Sequence, residues 1–159
     1  MTQATLRLTA GAIGLLALVL PARAEGPFGT WLTKDADAHV RIADCGGALC
    51  GTIVWLKDPI DDATGHPLAD KHNPDPGKRN RPVLGIQVMH GMHPSGPDRW
   101  SGRFYNSDDG KTYAGNLIVV DRSTVKVEGC LIICMGETWH RVDTTAKPAR
   151  PAARARNKT

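Results

Sequence analysis

No long stretch of this sequence shows the 3.6-residue periodicity of an amphipathic helix, and this absence limits the fold more than any other feature. Short runs of alternating apolar and polar residues stand in its place, separated by turns rich in Gly, Pro and Asp. Trp100, Gly102 and Phe104, for example, alternate with Ser101, Arg103 and Tyr105. Such runs predict an all-β protein, either a sandwich or a barrel.

The runs are also numerous enough to close a barrel. They lie near residues 28–33, 39–43, 52–56, 84–88, 100–105, 113–120, 124–128 and 137–142. About eight strands close a small antiparallel barrel, and closure removes the unpaired edges that make open sheets prone to aggregation. We therefore predict an up-and-down antiparallel barrel of about eight strands, with a β-sandwich as the alternative.

The N-terminal segment predicts export. Arg7 precedes an apolar run over residues 8–20, and Pro21-Ala22-Arg23-Ala24 ends in an A-x-A cleavage pattern. This arrangement is typical of a secretory signal peptide. We predict a signal peptide over residues 1–24, a β-barrel domain over residues 25–145 and a disordered basic tail over residues 146–159. The mature chain is then expected in the periplasm or outside the cell, without a transmembrane segment.

The charge is unevenly distributed. The formal net charge is +4, but many of the basic residues lie in the predicted signal peptide and in the tail after Thr145. The body between them carries more acidic than basic residues. A nucleic-acid partner is therefore not expected, since it would require a basic face on the folded domain.

Four cysteines form two close pairs in the sequence, Cys45 with Cys50 and Cys130 with Cys134. An even number in an exported chain predicts disulfides, and four cysteines allow three connectivities. We favour local pairing because each pair flanks a short turn. The spacings match zinc sites poorly, and an oxidising compartment works against thiolate ligands.

No constellation in the sequence predicts a catalytic or metal site. The four histidines that could share a metal, His66, His72, His90 and His93, show no fixed ligand spacing. The adjacent carboxylates Asp61-Asp62 and Asp108-Asp109 are expected to diverge in extended chain. We predict no cofactor and no metal, and we favour a binding protein over an enzyme.

Several motifs together resemble a family of exported bacterial proteins known as the domain of unknown function DUF 2147. They lie at residues 29–31, 40–42, 49–56, 73–75, 79–85, 100–106, 109–113, 129–131 and 138–141. The resemblance covers nearly all of the predicted barrel domain. It implies export and a common fold, and it implies no particular activity.

A looser resemblance connects the chain to lipocalin-like (calycin) barrels. Those barrels carry a G-x-W motif on the first strand and an arginine near the last strand, and the arginine packs across the tryptophan to shut one end. Gly29-Thr30-Trp31 and Arg141 match these positions. The resemblance implies that Trp31 and Arg141 form a structural clasp, which would stabilise the fold by about 0.5–2 kcal/mol.

The leading functional hypothesis is an exported, lipocalin-like protein that binds a small apolar or anionic ligand. The ligand would lie away from the clasp, under the long segment of residues 58–82, which has no strand pattern and is typical of a binding loop. The predicted apolar wall and anion partners are Trp55, Trp100, Phe104, Tyr113, Arg79, Arg81 and Arg103. The alternative for the arginines is local ion pairing with Asp70, Asp75 and Asp98. The alternative for the tryptophans is that they fill the core. The alternatives are a cell-envelope interaction protein without a cavity and a hydrolase with carboxylates in the long loop.

Overall fold

The computed structural model describes residues 26–142. Eight antiparallel strands form a closed barrel in sequence order. They are β1 (Gly29–Leu32), β2 (Ala38–Asp44), β3 (Leu49–Leu56), β4 (Gln87–Gly96), β5 (Arg99–Asn106), β6 (Lys111–Val119), β7 (Thr124–Cys130) and β8 (Cys134–Arg141). β1 pairs with β8 through Trp31 opposite Arg141 and Leu32 opposite His140. The predicted eight-stranded antiparallel barrel is confirmed, and the sandwich is excluded.

One short 3-10 helix, Pro76–Lys78, interrupts the long β3–β4 connection. Within residues 26–142, no helix has the length and apolar character needed to cross a membrane. The predicted signal peptide and basic tail lie outside the described residues, so both stay predictions.

The barrel interior follows the period-2 pattern of the strands. Val40, Ile42, Leu117 and Val125 are among the buried side chains that fill it, whereas their immediate neighbours face outward. Because paired residues on adjacent strands share a face, the register of Trp100 opposite Leu117 places Trp100 on the inner face as well. The alternation seen in the sequence is therefore the alternation between the two faces of the barrel wall.

The fourth strand differs from its predicted position. The sequence pattern placed it near residues 84–88, but the strand runs over Gln87–Gly96 and buries Met89 and Met92 completely. The pairing with β5 shifts register between His90 and His93, which is the signature of a β-bulge. Gly91 lies within this interval at φ +56. Because a bulge breaks the strict alternation of inward and outward residues, the sequence pattern did not identify Met89 and Met92 as buried strand residues.

The two ends of the barrel are built differently. The end that carries residues 26–28 and the β2–β3, β4–β5 and β6–β7 turns is called here the closed end. The guanidinium carbon of Arg141 lies 4.3 Å from the centroid of the buried Trp31 ring, and the Trp31 indole N–H donates to Pro27 O at 2.8 Å. Arg141 also donates from Nε to Arg122 O and from Nη1 to Phe28 O, both at 2.6 Å. This arrangement joins the first strand, the last strand and a turn across one end.

The opposite end, called here the open end, carries the β1–β2, β5–β6 and β7–β8 turns and the long connection over residues 57–86. A disulfide lies near each end of the barrel. Cys45–Cys50 joins β3 to the turn that precedes it at the closed end, and Cys130–Cys134 joins the ends of β7 and β8 at the open end. Disulfides are confirmed, and the structure has the local pairing that the sequence favoured.

Candidate functional site

A cavity of about 680 Å³ occupies the open half of the barrel. Its apolar lining is Ala38, Val40, Ile53, Leu56, Leu68, Val83, Val88, Phe104, Val127, Met135 and Trp139. This is the size and character of a site for a small, largely apolar molecule.

The Phe104 ring packs over a glycine on the neighbouring strand. It lies opposite Tyr113 in the β5–β6 register, and the neighbouring inward pair is Gly102 opposite Gly115. A Cβ on Gly115 would come within 2.5 Å of the Phe104 ring, so the ring lies where a side chain at 115 would have to go. The phenyl group is therefore held against the wall and leaves the centre of the barrel open.

Tyr113 lines the same cavity and extends toward the mouth. Its hydroxyl donates a short hydrogen bond to the carboxylate of Asp109 in the β5–β6 turn. This hydrogen bond lowers the pKa of Asp109 below its ordinary value, and it raises the pKa of Tyr113 above its own. The phenol is therefore a fixed, neutral group at the edge of the apolar wall.

The mouth of the cavity is acidic. Its charged lining residues are Lys34, Asp35, Asp37, Asp58, Asp108 and Glu137. Within residues 26–142 none of these five carboxylates takes part in a salt bridge. Asp37 accepts a hydrogen bond from Thr33, and Glu137 accepts one from the indole of Trp139, which fixes that ring in the wall. The mouth thus presents uncompensated negative charge to an entering molecule.

The long connection is fixed to the barrel through a buried carboxylate. Asp70 is fully buried, and its Oδ2 lies 3.0 Å from Arg81 Nε and 2.9 Å from Arg81 Nη2. Asn73 Nδ2 donates to the same oxygen at 2.7 Å, and the Tyr105 hydroxyl on β5 donates to Oδ1 at 2.5 Å. Burial, followed by the bond to Asp70, raises the pKa of Tyr105.

This polar network sets where the connection meets the cavity. Val83 N donates to Leu68 O at 2.8 Å, so the two halves of the connection are also joined to each other. Leu68 and Val83 both line the cavity, and they complete its wall at the open end. The connection is therefore part of the cavity wall rather than a detached surface loop.

The seven predicted ligand residues are distributed over different parts of the barrel. Phe104 and Tyr113 line the cavity, and Trp100 lies on the inner face outside its lining. Trp55 is 41% exposed, and its ring lies 4.4 Å from that of His39. Burial lowers the pKa of His39, which favours the neutral imidazole in this pair.

None of the three predicted anion partners belongs to the cavity lining. Arg81 is bound to Asp70, and Arg79 is exposed, with Nε donating to Asn73 O at 2.9 Å. Arg103 is exposed on the outer face of β5, opposite Ala114. The structure does not bring them together as an anion site.

The acidic mouth was missed in the sequence, although a signal for it was present. In an up-and-down barrel every second connection lies at the same end. The first, third and fifth connections here contain Asp35 and Asp37, Asp58, and Asp108, respectively. Counting the acids by barrel end would have placed them together. Within the described residues, no three His, Cys, Asp or Glu side chains lie close enough to hold a metal ion.

Comparison with known proteins supports the fold and the family. No curated protein matches the chain. Among solved structures, protein HP1028 from the human pathogen Helicobacter pylori, described as belonging to the lipocalin family, matches with a TM-score of 0.63. The two sequences are 20% identical, and the match covers 74% of this chain and 83% of that chain. The resemblance to lipocalin-like barrels is thus confirmed at the level of the fold.

The sequence resemblance is confirmed as well. The model of the family described as "Uncharacterized protein conserved in bacteria (DUF2147)" matches residues 29–141, which include all eight strands, and the chain therefore belongs to this family.

Proposed function

We propose that this protein binds a small, largely apolar molecule in the open half of the barrel. The cavity carries this proposal, because its volume of about 680 Å³ falls within the roughly 300–1,000 Å³ that is usual for small-molecule sites. Small barrels can be filled entirely by side chains, so an apolar space that opens at one end favours binding over a purely structural role. The lipocalin-like fold is consistent with this role.

The charge at the mouth defines the ligand further. We first expected an acidic group on the ligand, held by arginines, but the groups that line the mouth are mainly carboxylates. A ligand carboxylate would enter a negative field without a partner, whereas an ammonium or hydroxyl group could be paired there. The proposed ligand is therefore apolar along its length, with a neutral or cationic polar end at the mouth.

A displacement assay tests both parts of the proposal. The full chain would be titrated with N-phenyl-1-naphthylamine, a neutral apolar fluorophore, and the bound probe displaced with dodecylamine, dodecanol or dodecanoic acid. We expect saturable binding, displacement by the amine and the alcohol, and weaker displacement by the acid. Equal displacement by all three would contradict the proposed role of the mouth, and the absence of saturable binding would contradict the proposed function.

Two variants localise the site. Val127→Phe places a ring in the cavity, and it should weaken probe binding by about tenfold or more, since it removes the space for the ligand. Arg103→Ala, on the outer face beside Phe104, is the matched control and should bind as the unmodified chain does. If Arg103→Ala loses affinity and Val127→Phe does not, the ligand lies outside the barrel.

Export is the second part of the proposal. The two disulfides suit an oxidising compartment, and the N-terminal pattern is that of a cleaved signal. The mature protein recovered from a periplasmic fraction should begin at Glu25 when its intact mass is measured. An intact N-terminus in the cytoplasmic fraction would contradict this assignment.

A further inference from the structure

The β7–β8 turn projects apolar side chains into solvent. Leu131, Ile132, Ile133 and Met135 are 82%, 101%, 77% and 79% exposed, respectively. We call these four residues the apolar tip. Single exposed apolar residues are common on protein surfaces, but four large ones within five positions form a patch of the kind that marks an interaction site.

The tip is held in shape and carries no charge. The Cys130–Cys134 disulfide joins the strand ends directly beneath it, and Leu131 N donates to Ile133 O at 3.4 Å. Residues 129–136 contain no charged side chain. Moving the tip into an apolar environment would therefore bury no side-chain charge, which is the main cost of such a transfer.

The tip belongs to the mouth of the barrel. Met135 is both a member of the tip and a lining residue of the cavity. The C-terminal segment leaves at the other end, since β8 runs from the tip to Arg141 at the closed end. That segment, residues 143–159, contains no large apolar residue that could cover the tip.

The size and shape of the tip favour a lipid surface over a protein partner. Stable protein interfaces use about 20–30 residues on each side, far more than the tip supplies. A projecting hairpin also lacks the groove into which a partner's side chains could pack. A bilayer interface needs only a few large aliphatic side chains to hold a protein at its surface.

The charge around the mouth selects the kind of lipid. The opening is lined by Asp35, Asp37, Asp58 and Asp108 together with Lys34, so its net charge is negative and would repel an anionic headgroup layer. We infer that the apolar tip inserts into the interface of a bilayer with zwitterionic headgroups and brings the mouth of the barrel against it. This inference goes beyond ligand binding and does not depend on it.

Vesicle flotation tests the inference. The full chain would be mixed with phosphatidylcholine vesicles and with vesicles in which part of this lipid is replaced by phosphatidylglycerol. We expect flotation with the first, no stronger flotation with the second, and little change when salt is raised. Ile132→Ser should lower the partition coefficient by about tenfold, the effect of withdrawing one large aliphatic side chain from the interface.

Val120→Ser is the matched control, because Val120 is 61% exposed in the β6–β7 turn at the closed end. Val120→Ser should float as the unmodified chain does. Ile132→Ser and Val120→Ser should both have the melting temperature of the unmodified chain. A second pair reports the inserted end: the added fluorophore of Ile132→Trp should show a blue-shifted emission with vesicles, and that of Val120→Trp should not. All chains compared must share the same N-terminus, verified by mass.

Three results would overturn the inference. One is no flotation of the unmodified chain, and another is equal loss in Ile132→Ser and Val120→Ser. The third is a dimer in sedimentation velocity that Ile132→Ser dissociates without vesicles present, since the tip would then bind a second copy of the chain. Failure of the probe-displacement assay would leave these results unaffected, so the two proposals can fail separately.

Discussion

Replacing Arg141 with alanine should destabilise the barrel without affecting its cavity. The guanidinium contacts the face of Trp31, which is worth about 1 kcal/mol for a partly desolvated pair. Its two hydrogen bonds to backbone carbonyl oxygens add about 1.5 kcal/mol each, the value for bonds from a charged donor. Because Arg141 is only partly buried, we expect a total loss of about 3 kcal/mol rather than the full sum.

A loss of this size is readily measured. For a domain of this length it corresponds to a fall in melting temperature of about 10 °C, and urea denaturation would give the free energy of unfolding directly. Arg103→Ala is the matched control, because Arg103 is exposed and makes no side-chain hydrogen bond or salt bridge within residues 26–142. Arg141→Lys keeps the charge but can reach one carbonyl at most, so it should lose an intermediate amount.

The refuting outcomes are specific. If Arg141→Ala loses less than about 1 kcal/mol, as exposed pairs often do, the contacts across Trp31 do not hold the barrel closed. If the variant is destabilised and also loses affinity for N-phenyl-1-naphthylamine at a temperature where it is fully folded, the closed end and the cavity are coupled. Either result would contradict the assignment of Arg141 to closure alone.

Three further predictions concern other parts of the barrel. Asp70→Asn should lower the free energy of unfolding in urea by about 2–3 kcal/mol, since it breaks a buried ion pair whose arginine is partly exposed. The pKa of Glu128 is lowered below its ordinary 4.5, chiefly by its hydrogen bond to Lys126. The contribution of ionised Glu128 to the stability of the fold is therefore complete above pH 4.5 and is lost as the pH falls through the folded-state pKa. The difference in melting temperature between the unmodified chain and Glu128→Gln should disappear in acid. Gly29→Ala should cost about 2 kcal/mol by thermal melting, because φ is +126 and the new Cβ would lie 2.6 Å from Arg141 Nη1.

Local patterns were sufficient to predict the barrel, because the alternation of apolar and polar residues within a strand shows which side chains face inward and which face outward. Alternation in β5 and β7 identified the inward residues, and the G-x-W and terminal arginine identified the pair that closes the sheet. β4 was misplaced because its bulge interrupts the alternation on which the prediction rests. The information for Met89 and Met92 lies in the pairing with β5, not in the segment itself.

The site was harder to predict, since it depends on which residues meet across the barrel. Phe104 was found because it alternates inward on a regular strand. For Arg81 the sequence left a choice between a ligand anion and a nearby carboxylate, and the structure pairs it with Asp70. That choice could not be made from the sequence, because the pairing is a tertiary contact within an irregular connection. Trp55 ends an apolar run on β3, and the sequence therefore placed it on the apolar wall. In the structure the pairing of β3 with β2 shifts register between His39 and Val40, and the Trp55 ring faces solvent.

Both ends of the described chain leave the barrel on the side of the Trp31–Arg141 contact, where Val142 N donates to Thr30 O at 2.8 Å. Residues 26 and 142 therefore lie about 25 Å of strand away from the cavity mouth, given the eight residues of β8. A surface bound at the mouth would therefore leave residues 26 and 142 on the opposite side of the barrel.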